Sequence, residues 1–439
     1  MSVATLFQRF QDNLKVKNAD DISTKYRNIT SRLNRDFWEL ESDREHNLQI
    51  GSYGRYTAID GVSDLDMVFE LPPEDWERYK KLQGNGPSTM LQDVRASLLT
   101  RYPSSDIAAD GQIVAVNFTG YRVEVLPAFR DDNDDYTYGD ANDGGQWKTT
   151  KPRPEIKAVN DMNTQTNGAM KEACRMLRAW KNRAGVGIGG LLIDTLTYNF
   201  FSQESKYNDC TYDDYPALVF DLFTYLGSLP EQDYWAALGS GQRVRCKANF
   251  QPKARKAAKK CADAIDATSE GAKARKWRSV FGSTFPKSAE LAKRALDEAI
   301  TAAAPDEQFI EDQHSVDVRY NIELDCEVKE ENVIRTSLRR LIHLKARLPI
   351  GRSLRFFVSG SDIPGDYYVK WKVRNRGPAA VGQERGQILQ DVNNRRERVE
   401  STSFRGNHYV EVYAIKNDVC VARERIAVPI DPASTSIAR

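Results

Sequence analysis

Asp64 and Asp66 stand one residue apart at the head of an apolar run, Met67-Val68-Phe69. In an extended strand, residues i and i+2 point to the same face. The spacing therefore predicts two carboxylates side by side, with Leu65 turned into the core. Adjacent carboxylates repel each other unless a cation lies between them. Hard oxygen donors at this spacing suit Mg²⁺, which keeps waters and takes further ligands from phosphates. Upstream lies Gly51-Ser52-Tyr53-Gly54, a small turn that offers backbone N–H groups and the Ser52 hydroxyl to a phosphate. A third carboxylate, Glu124, falls in residues 121–127, which read as the hairpin partner of 112–118 across Thr119-Gly120. Alternation puts Arg122, Glu124 and Leu126 on one face and Val123, Val125 and Pro127 on the other. A carboxylate in such a strand is costly to bury unless it meets a cation or a hydrogen-bond donor. One reading is a solvated strand face. The other, which the Gly-Ser turn favours, is a two-metal clamp for nucleotidyl transfer by Asp64, Asp66 and Glu124.

The elements that must position these residues follow from periodicity. Residues 4–48 read as helical, with Leu, Phe, Ile and Trp at helical spacing. Strands are expected near 64–71, 111–118 and 121–127, with a helix over about 88–101. The stretch 131–145, DDNDDYTYGDANDGG, reads as a solvated acidic loop and lacks the glutamate placement of an EF-hand. Residues 167–201 are again helical in pattern. Residues 241–280 carry twelve Lys and Arg against three Asp and Glu, with small residues at helical spacing, and read as a long basic helix. Its two readings are a solvated face and a groove for a polyanion, either a growing product or an activating nucleic acid. Near Pro305 the texture changes to short β-rich runs separated by turn residues, the pattern of a small β-sandwich. Within it, 335–346 reads either as strand or as helix. Two domains are expected, 1–304 and 305–439, because 439 residues exceed one ordinary core.

The array GSYGRYTAIDGVSDLDMVFEL (51–71) followed by VEVLPAF (123–129) resembles the polymerase-β-type nucleotidyltransferases. More closely it resembles the cGAS/DncV-like enzymes of bacterial anti-phage defence. That resemblance implies an α+β fold: a polymerase-β-like core of mixed sheet plus helical lobe, here followed by the β-rich, sandwich-like domain. It implies that Gly51 and Ser52 contact the donor triphosphate, and that Asp64, Asp66 and Glu124 bind Mg²⁺ or Mn²⁺. The third acid is more often Asp in the family. It also implies that a helix carrying Arg175, Arg178 and Lys181 counters the charge of the NTP. Arg178 stands where a lysine is usual, and arginine clasps phosphate bidentately. Gly190 lacks the hydroxyl and Asp194 replaces the glutamate usual there. The segments around Tyr368–Gly377 and Gly406–Ile415 resemble the AGS-C sensor domain. Trp371, Arg374, Arg376, Arg405 and His408 are then expected to form an aromatic-plus-cation site for a nucleotide or nucleic acid. The implied activity is synthesis of a cyclic oligonucleotide from NTPs, read by a separate effector protein. The alternatives are a linear product or a macromolecular acceptor, and a non-catalytic nucleotide-binding sensor.

Composition narrows the remaining classes. A net charge of +1, with 28% charged and 40% hydrophobic residues, is that of an ordinary soluble protein. No apolar run approaches the ~20 residues of a membrane span, and the amphipathic start is not a secretory signal. Six cysteines without C-x-x-C pairs and four scattered histidines predict neither a disulfide framework nor a zinc site, which fits a reducing cytoplasm.

Overall fold

A computed structural model of the chain describes residues 2–82, 84–287, 308–331, 333–344, 346–375, 385–391, 395–403 and 405–431. The chain divides into two compact units. One comprises Met1–Trp180 with Gly189–Ser288, the other Lys181–Ile188 with Ala289–Arg439. The expected boundary at 304/305 lies outside the described residues.

The first unit opens with two helices, α1 (Val3–Leu14) and α2 (Ala19–Phe37), rather than one continuous helical stretch. Asn18, Lys15 and Lys17 interrupt the apolar repeat between them. Strand β1 (Asn47–Gln49) leads into the short helix α3 (Gly51–Gly54), and then come β2 (Asp64–Glu70), α4 (Pro73–Lys81) and α5 (Gly86–Arg101). Strands β3 (Ile107–Asp110), β4 (Ile113–Phe118), β5 (Tyr121–Arg130), β6 (Tyr136–Asp140) and β7 (Gln146–Thr150) follow. Together they form a seven-stranded sheet ordered β1-β2-β5-β4-β3, with β6 and β7 continuing from β5. The pairing of β2 with β5 is parallel and the others are antiparallel, so the sheet is mixed. The acidic stretch 131–145 therefore contains a strand, β6, where a loop is expected. Tyr136 is fully buried there and its hydroxyl donates to Glu70.

Alternation explains the sheet's two faces. Leu65, Met67, Phe69, Val123 and Val125 pack in one core with Ile22, Ile29 and Leu33 of α2 and Met90, Val94 and Leu98 of α5. The intervening Asp64, Asp66, Arg122 and Glu124 remain on the opposite, partly exposed face.

The helices of this unit are α6 (Pro152–Gln165), α7 (Ala169–Ala184, its last turn grouped with the second unit), α8 (Gly190–Gln203) and α9 (Tyr215–Ser228). After a two-stranded hairpin of β8 (Tyr234–Ala236) and β9 (Arg243–Arg245) come α10 (Gln251–Ile265) and α11 (Glu270–Phe281). The basic stretch 241–280 is thus a strand and two helices, not one long helix. The break is at Ser269, which caps α11 by accepting from the Ala272 N–H.

The second unit is a β-sandwich. Its strands are β10 (Ser315–Val316), β11 (Ile322–Glu330), β12 (Val333–Ser337), β13 (Ser353–Ser361) and β14 (Tyr368–Arg374). They continue with β15 (Ile388–Gln390), β16 (Glu397–Ser401), β17 (Gly406–Lys416) and β18 (Val419–Ile430). One sheet runs β10-β18-β17-β14-β15 and the other β12-β11-β13-β16. Leu324, Cys326, Leu354 and Phe356 of the second sheet meet Val369, Trp371, Val410 and Val412 of the first in one core. Residues 335–346 resolve into the end of β12 and a six-residue helix, α12 (Leu338–His343), capped by Ser337. Among the described residues no helix is long and apolar enough to cross a membrane, and the six cysteines are unpaired.

Candidate active site

Parallel pairing of β2 with β5 sets Asp64 beside Arg122 and Asp66 beside Glu124. Three carboxylates from neighbouring strands thus occupy one face of the sheet. Arg122 lies between them, 3.2 Å from Asp64 and in contact with Glu124. Burial, and then the Glu124 carboxylate, raise the Asp66 pKa well above its ordinary value, and Arg55 and Arg122 only partly offset them. Asp66 is therefore a carboxyl whose charged form is short of compensating positive charge.

The turn upstream is built against these acids. Gly51 adopts φ +64°, and a Cβ there would fall 1.9 Å from Asp66 Oδ2, so only glycine fits. A Cβ on Gly54 would meet the Gln49 carbonyl at 2.1 Å. The carbonyl of Ser52 accepts from the N–H groups of Thr57 and Ala58, closing the loop beyond α3. A helix start leaves its first N–H groups without intrahelical partners, and α3 begins next to the Asp66 carboxylate.

Does this face suit a divalent cation? Among the described residues no three His, Cys, Asp or Glu side chains are gathered into a metal cage. Arg122 provides the positive charge between Asp64 and Glu124 instead. The donor chemistry nevertheless fits a hard cation: three carboxylates on one face, and a buried Glu124 Oε1 that accepts no well-formed hydrogen bond despite touching Arg122. Asp64, Asp66 and Glu124 are the residues that would hold such an ion.

The basic helix α7 departs from expectation. Arg178 is buried, with its guanidinium on both oxygens of Asp194 (2.7 and 3.0 Å) and on the Gly190 carbonyl (3.1 Å). Arg55 reaches the same carboxylate at 2.8 Å and Thr57 donates to it at 3.0 Å. Burial pushes the Asp194 carboxyl up, but the two arginines outweigh it and hold it at about 2. Arg178 is therefore a structural cation that ties α7 and α8 to the segment after α3, and its assignment to the triphosphate is corrected. Lys181 is corrected likewise. It belongs to the second unit, where its ammonium is buried 2.9 Å from Asp317.

Arg175 is partly buried, its side chain 20% exposed; the guanidinium lies 3.9 Å from Glu172, and its buried Nε lacks a hydrogen bond. Lys171, one turn before it, lies over the exposed Tyr56 ring at 5.0 Å. Burial, and then Arg175, lower its pKa. Lys171 is thus a candidate phosphate-facing cation that sequence reasoning missed. The signal was its position four residues before Arg175 on the same helix face.

The expected ligand site of the second unit is dispersed. Trp371 is 2% exposed and belongs to the core between the sheets. Arg374 donates to the Arg385 carbonyl, and Arg405 is exposed, 3.8 Å from Asp431. Arg376 lies outside the described residues. His408 is buried and lines a cleft of about 160 Å³, open to solvent, with Phe356, Val373, Arg385, Glu400 and Tyr409. Of the four expected residues that are described, only His408 lines this cleft. Strand alternation explains Trp371: it sits two residues from Val369 and Val373 on the inward face of β14.

Residues 1–163 match the model of the Second Messenger Oligonucleotide or Dinucleotide Synthetase domain. Residues 305–431 match that of the Adenylyl/Guanylyl and SMODS C-terminal sensor domain. The chain is 20% identical over 186 residues to a probable cyclic nucleotide synthase of Bacillus cereus (strain VD146), covering 36% of this chain and 56% of that protein. It thus spans about half the length of that curated relative. Among solved structures it is similar to the CdnC:HORMA-deltaN complex of E. coli MS115-1, with a TM-score of 0.48, 15% identity, and 64% of this chain and 98% of that chain covered. It is also similar to the 3'-deoxy ATP bound form of Vibrio cholerae DncV, with a TM-score of 0.44, 14% identity, and coverage of 55% and 69%.

Proposed function

We propose that this chain, which belongs to the cGAS/DncV-like nucleotidyltransferases, joins nucleoside triphosphates into a cyclic oligonucleotide. The observation that carries the reading is the in-register pairing of Asp66 with Glu124, beside Asp64 and against Gly51. The likeness to a probable cyclic nucleotide synthase supports a cyclic product.

Asp64, Asp66 and Glu124 would hold Mg²⁺, or Mn²⁺ in its place. When bound, the ion supplies Lewis-acid activation of a ribose hydroxyl and charge neutralisation at the leaving pyrophosphate. Gly51 and Ser52 orient the donor triphosphate from the start of α3, and Lys171 and Arg175 face its negative charge. Arg55, Arg178 and Asp194 hold α3 in place and touch no substrate. The product acts on a separate effector protein in anti-phage defence.

The test is incubation of the purified protein with labelled NTPs and Mg²⁺ or Mn²⁺, followed by nuclease and phosphatase digestion. A phosphatase-resistant product supports cyclisation. A phosphatase-sensitive ladder indicates linear synthesis, and no product with any NTP or dNTP overturns the enzymatic reading.

A further inference from the structure

Strand alternation gathers charge on the outer face of the sheet β10-β18-β17-β14-β15. In register, Lys372 stands beside Glu411, and Glu411 beside Arg425; the next row is Lys370, Tyr413 and Arg423. Paired residues of neighbouring strands point the same way, so these side chains lie opposite Val369, Trp371, Val410 and Val412 of the core. The Glu411 carboxylate is already engaged. One oxygen accepts from Arg425 at 2.8 Å and from Arg423 at 3.4 Å, and the other from the Tyr413 hydroxyl at 2.7 Å. Arg423 also donates to Glu311 at 3.1 Å. Arg425 stacks on the Tyr409 ring at 4.1 Å and keeps its side chain 38% exposed. A third guanidinium joins these two. Arg183 lies in the last turn of α7, within the same compact unit. That turn is fixed to the sandwich on both sides of Arg183. Asn182 bonds the Val316 carbonyl and the Val318 N–H, and a Cβ on Gly185 would fall 2.4 Å from the Arg423 carbonyl. Among the described residues Arg183 has neither a hydrogen bond nor an ion pair. It is half-buried, yet none of its nitrogens is sealed from solvent.

An unpaired arginine on open surface is hydrated and needs no partner. Arg183 is not in that position. Burial, and then Arg425 and Arg423, lower its pKa, and Glu411 and Glu311 only partly offset them. A guanidinium carries five donors and does not shed its proton in proteins. The carbonyl end of α7 favours a cation there, but by only about 0.3–1 kcal/mol. Three guanidiniums are thus gathered around two carboxylates that Arg423 and Arg425 already occupy. The missing charge must come from outside the cluster. A protein partner would need an aromatic or aliphatic anchor, and the rings here, Tyr409 and Tyr413, are buried. A small oxyanion fits the opening, and the planar fork of arginine matches phosphate oxygens bidentately. We propose that Arg183 and Arg425, with the buried Arg423 beside them, form a phosphate-binding site on the outer face of the sandwich.

The experiment melts the whole protein in chloride buffer, with inorganic phosphate or AMP added at matched ionic strength. Affinity is read from the rise in melting temperature with ligand concentration. Phosphate should raise the wild-type melt above that in chloride. Arg183→Gln removes a cation that two others repel. It should melt at or above wild type in chloride and bind phosphate at least about tenfold more weakly. Arg183→Lys should fall between them, because it keeps the charge and loses the fork. Lys157→Gln makes the same charge change at an exposed site paired with Asp161, and should bind phosphate as wild type does. Lys171→Gln with Arg175→Gln reports phosphate held at the carboxylate face, and should keep the response that Arg183→Gln loses. No rise with phosphate overturns the proposal. So does an equal response in Arg183→Gln and wild type, or an equal loss in Lys157→Gln. An Arg183→Gln melt below wild type in chloride also overturns it, because Arg183 is then a structural cation. The expected pattern with phosphate and AMP alike supports the site and names phosphate esters as ligands. The same pattern with phosphate alone supports it and names the free ion.

Discussion

Three acids, one arginine and one glycine set the chemistry of the carboxylate face. Asp66 is the residue least compensated there, because burial and Glu124 both disfavour its charge. Replacing Asp64, Asp66 or Glu124 by the matching amide should abolish product formation without unfolding the chain. At Asp66 the change removes a buried, repelled charge, so its thermal melt in metal-free buffer should hold or rise. Wild-type turnover in a double amide variant of Asp64 and Asp66 would refute the mechanism. Arg122 makes the complementary case. Arg122→Ala leaves the three acids without the cation between them, so its melting temperature in chelator should fall below wild type. Mg²⁺ should restore it. A melt insensitive to both the substitution and Mg²⁺ would mean that the acids are solvated and bind no ion.

Elements are locked together by charge rather than by apolar packing alone where α7 and α8 meet the end of α3. Asp194 is fully buried between Arg178 and Arg55. Removing one partner of such a pair leaves an uncompensated buried charge and costs about 3–5 kcal/mol. Arg178→Ala and Asp194→Ala should each destabilise by that order in urea melts. Arg178→Lys should restore little, because lysine cannot bridge both oxygens of Asp194 and the Gly190 carbonyl. The pH dependence has a definite sign. The Asp194 carboxyl is lower in the folded state, about 2, than its ordinary 3.8. Its contribution is therefore complete above about pH 4 and is lost as pH falls toward 2, about 2 kcal/mol in all. Asp194→Asn should lack that part of the acid-induced loss. A slope equal to wild type between pH 4 and 2 would show that the carboxylate carries no such linkage.

In the molecule as a whole, the β-sandwich has its own core, with Trp371, Phe356 and Val412 fully enclosed. A fragment of residues 305–439 is long enough to bury a workable core and should fold cooperatively. It lacks Asn182, whose amide donates to the Val316 carbonyl and whose oxygen accepts from Val318 N–H. It also lacks Lys181, the partner of Asp317. The fragment should therefore be less stable than one in which these bonds are kept. Trp371 is its sole tryptophan. Its emission should be that of a buried indole, weakly quenched by acrylamide and unmoved by nucleotides. A nucleotide-dependent change in that emission would return Trp371 to a ligand site.

Much of this architecture follows from local periodicity. The alternation in 64–69 and 121–125 placed Asp64, Asp66 and Glu124 on strand faces opposite an apolar core, and the turn-rich texture after 305 marked the sandwich. Such patterns are legible because burial repeats every second residue in a strand. What they leave open is which strand lies beside which. The parallel pairing that brings Asp66 opposite Glu124 joins segments separated by α4, α5 and two strands. The same limit explains Arg178 and Lys181. A cation facing solvent and one facing a buried carboxylate look alike along the chain, because the partner lies elsewhere in the fold, as Asp194 and Asp317 do here. Trp371 shows the converse, since an aromatic among arginines reads as a ligand platform until the second sheet packs over it. The residue types and their spacing thus fixed which side chains share a face. Long-range packing then settled which of those faces is open to a ligand and which is closed by another part of the protein.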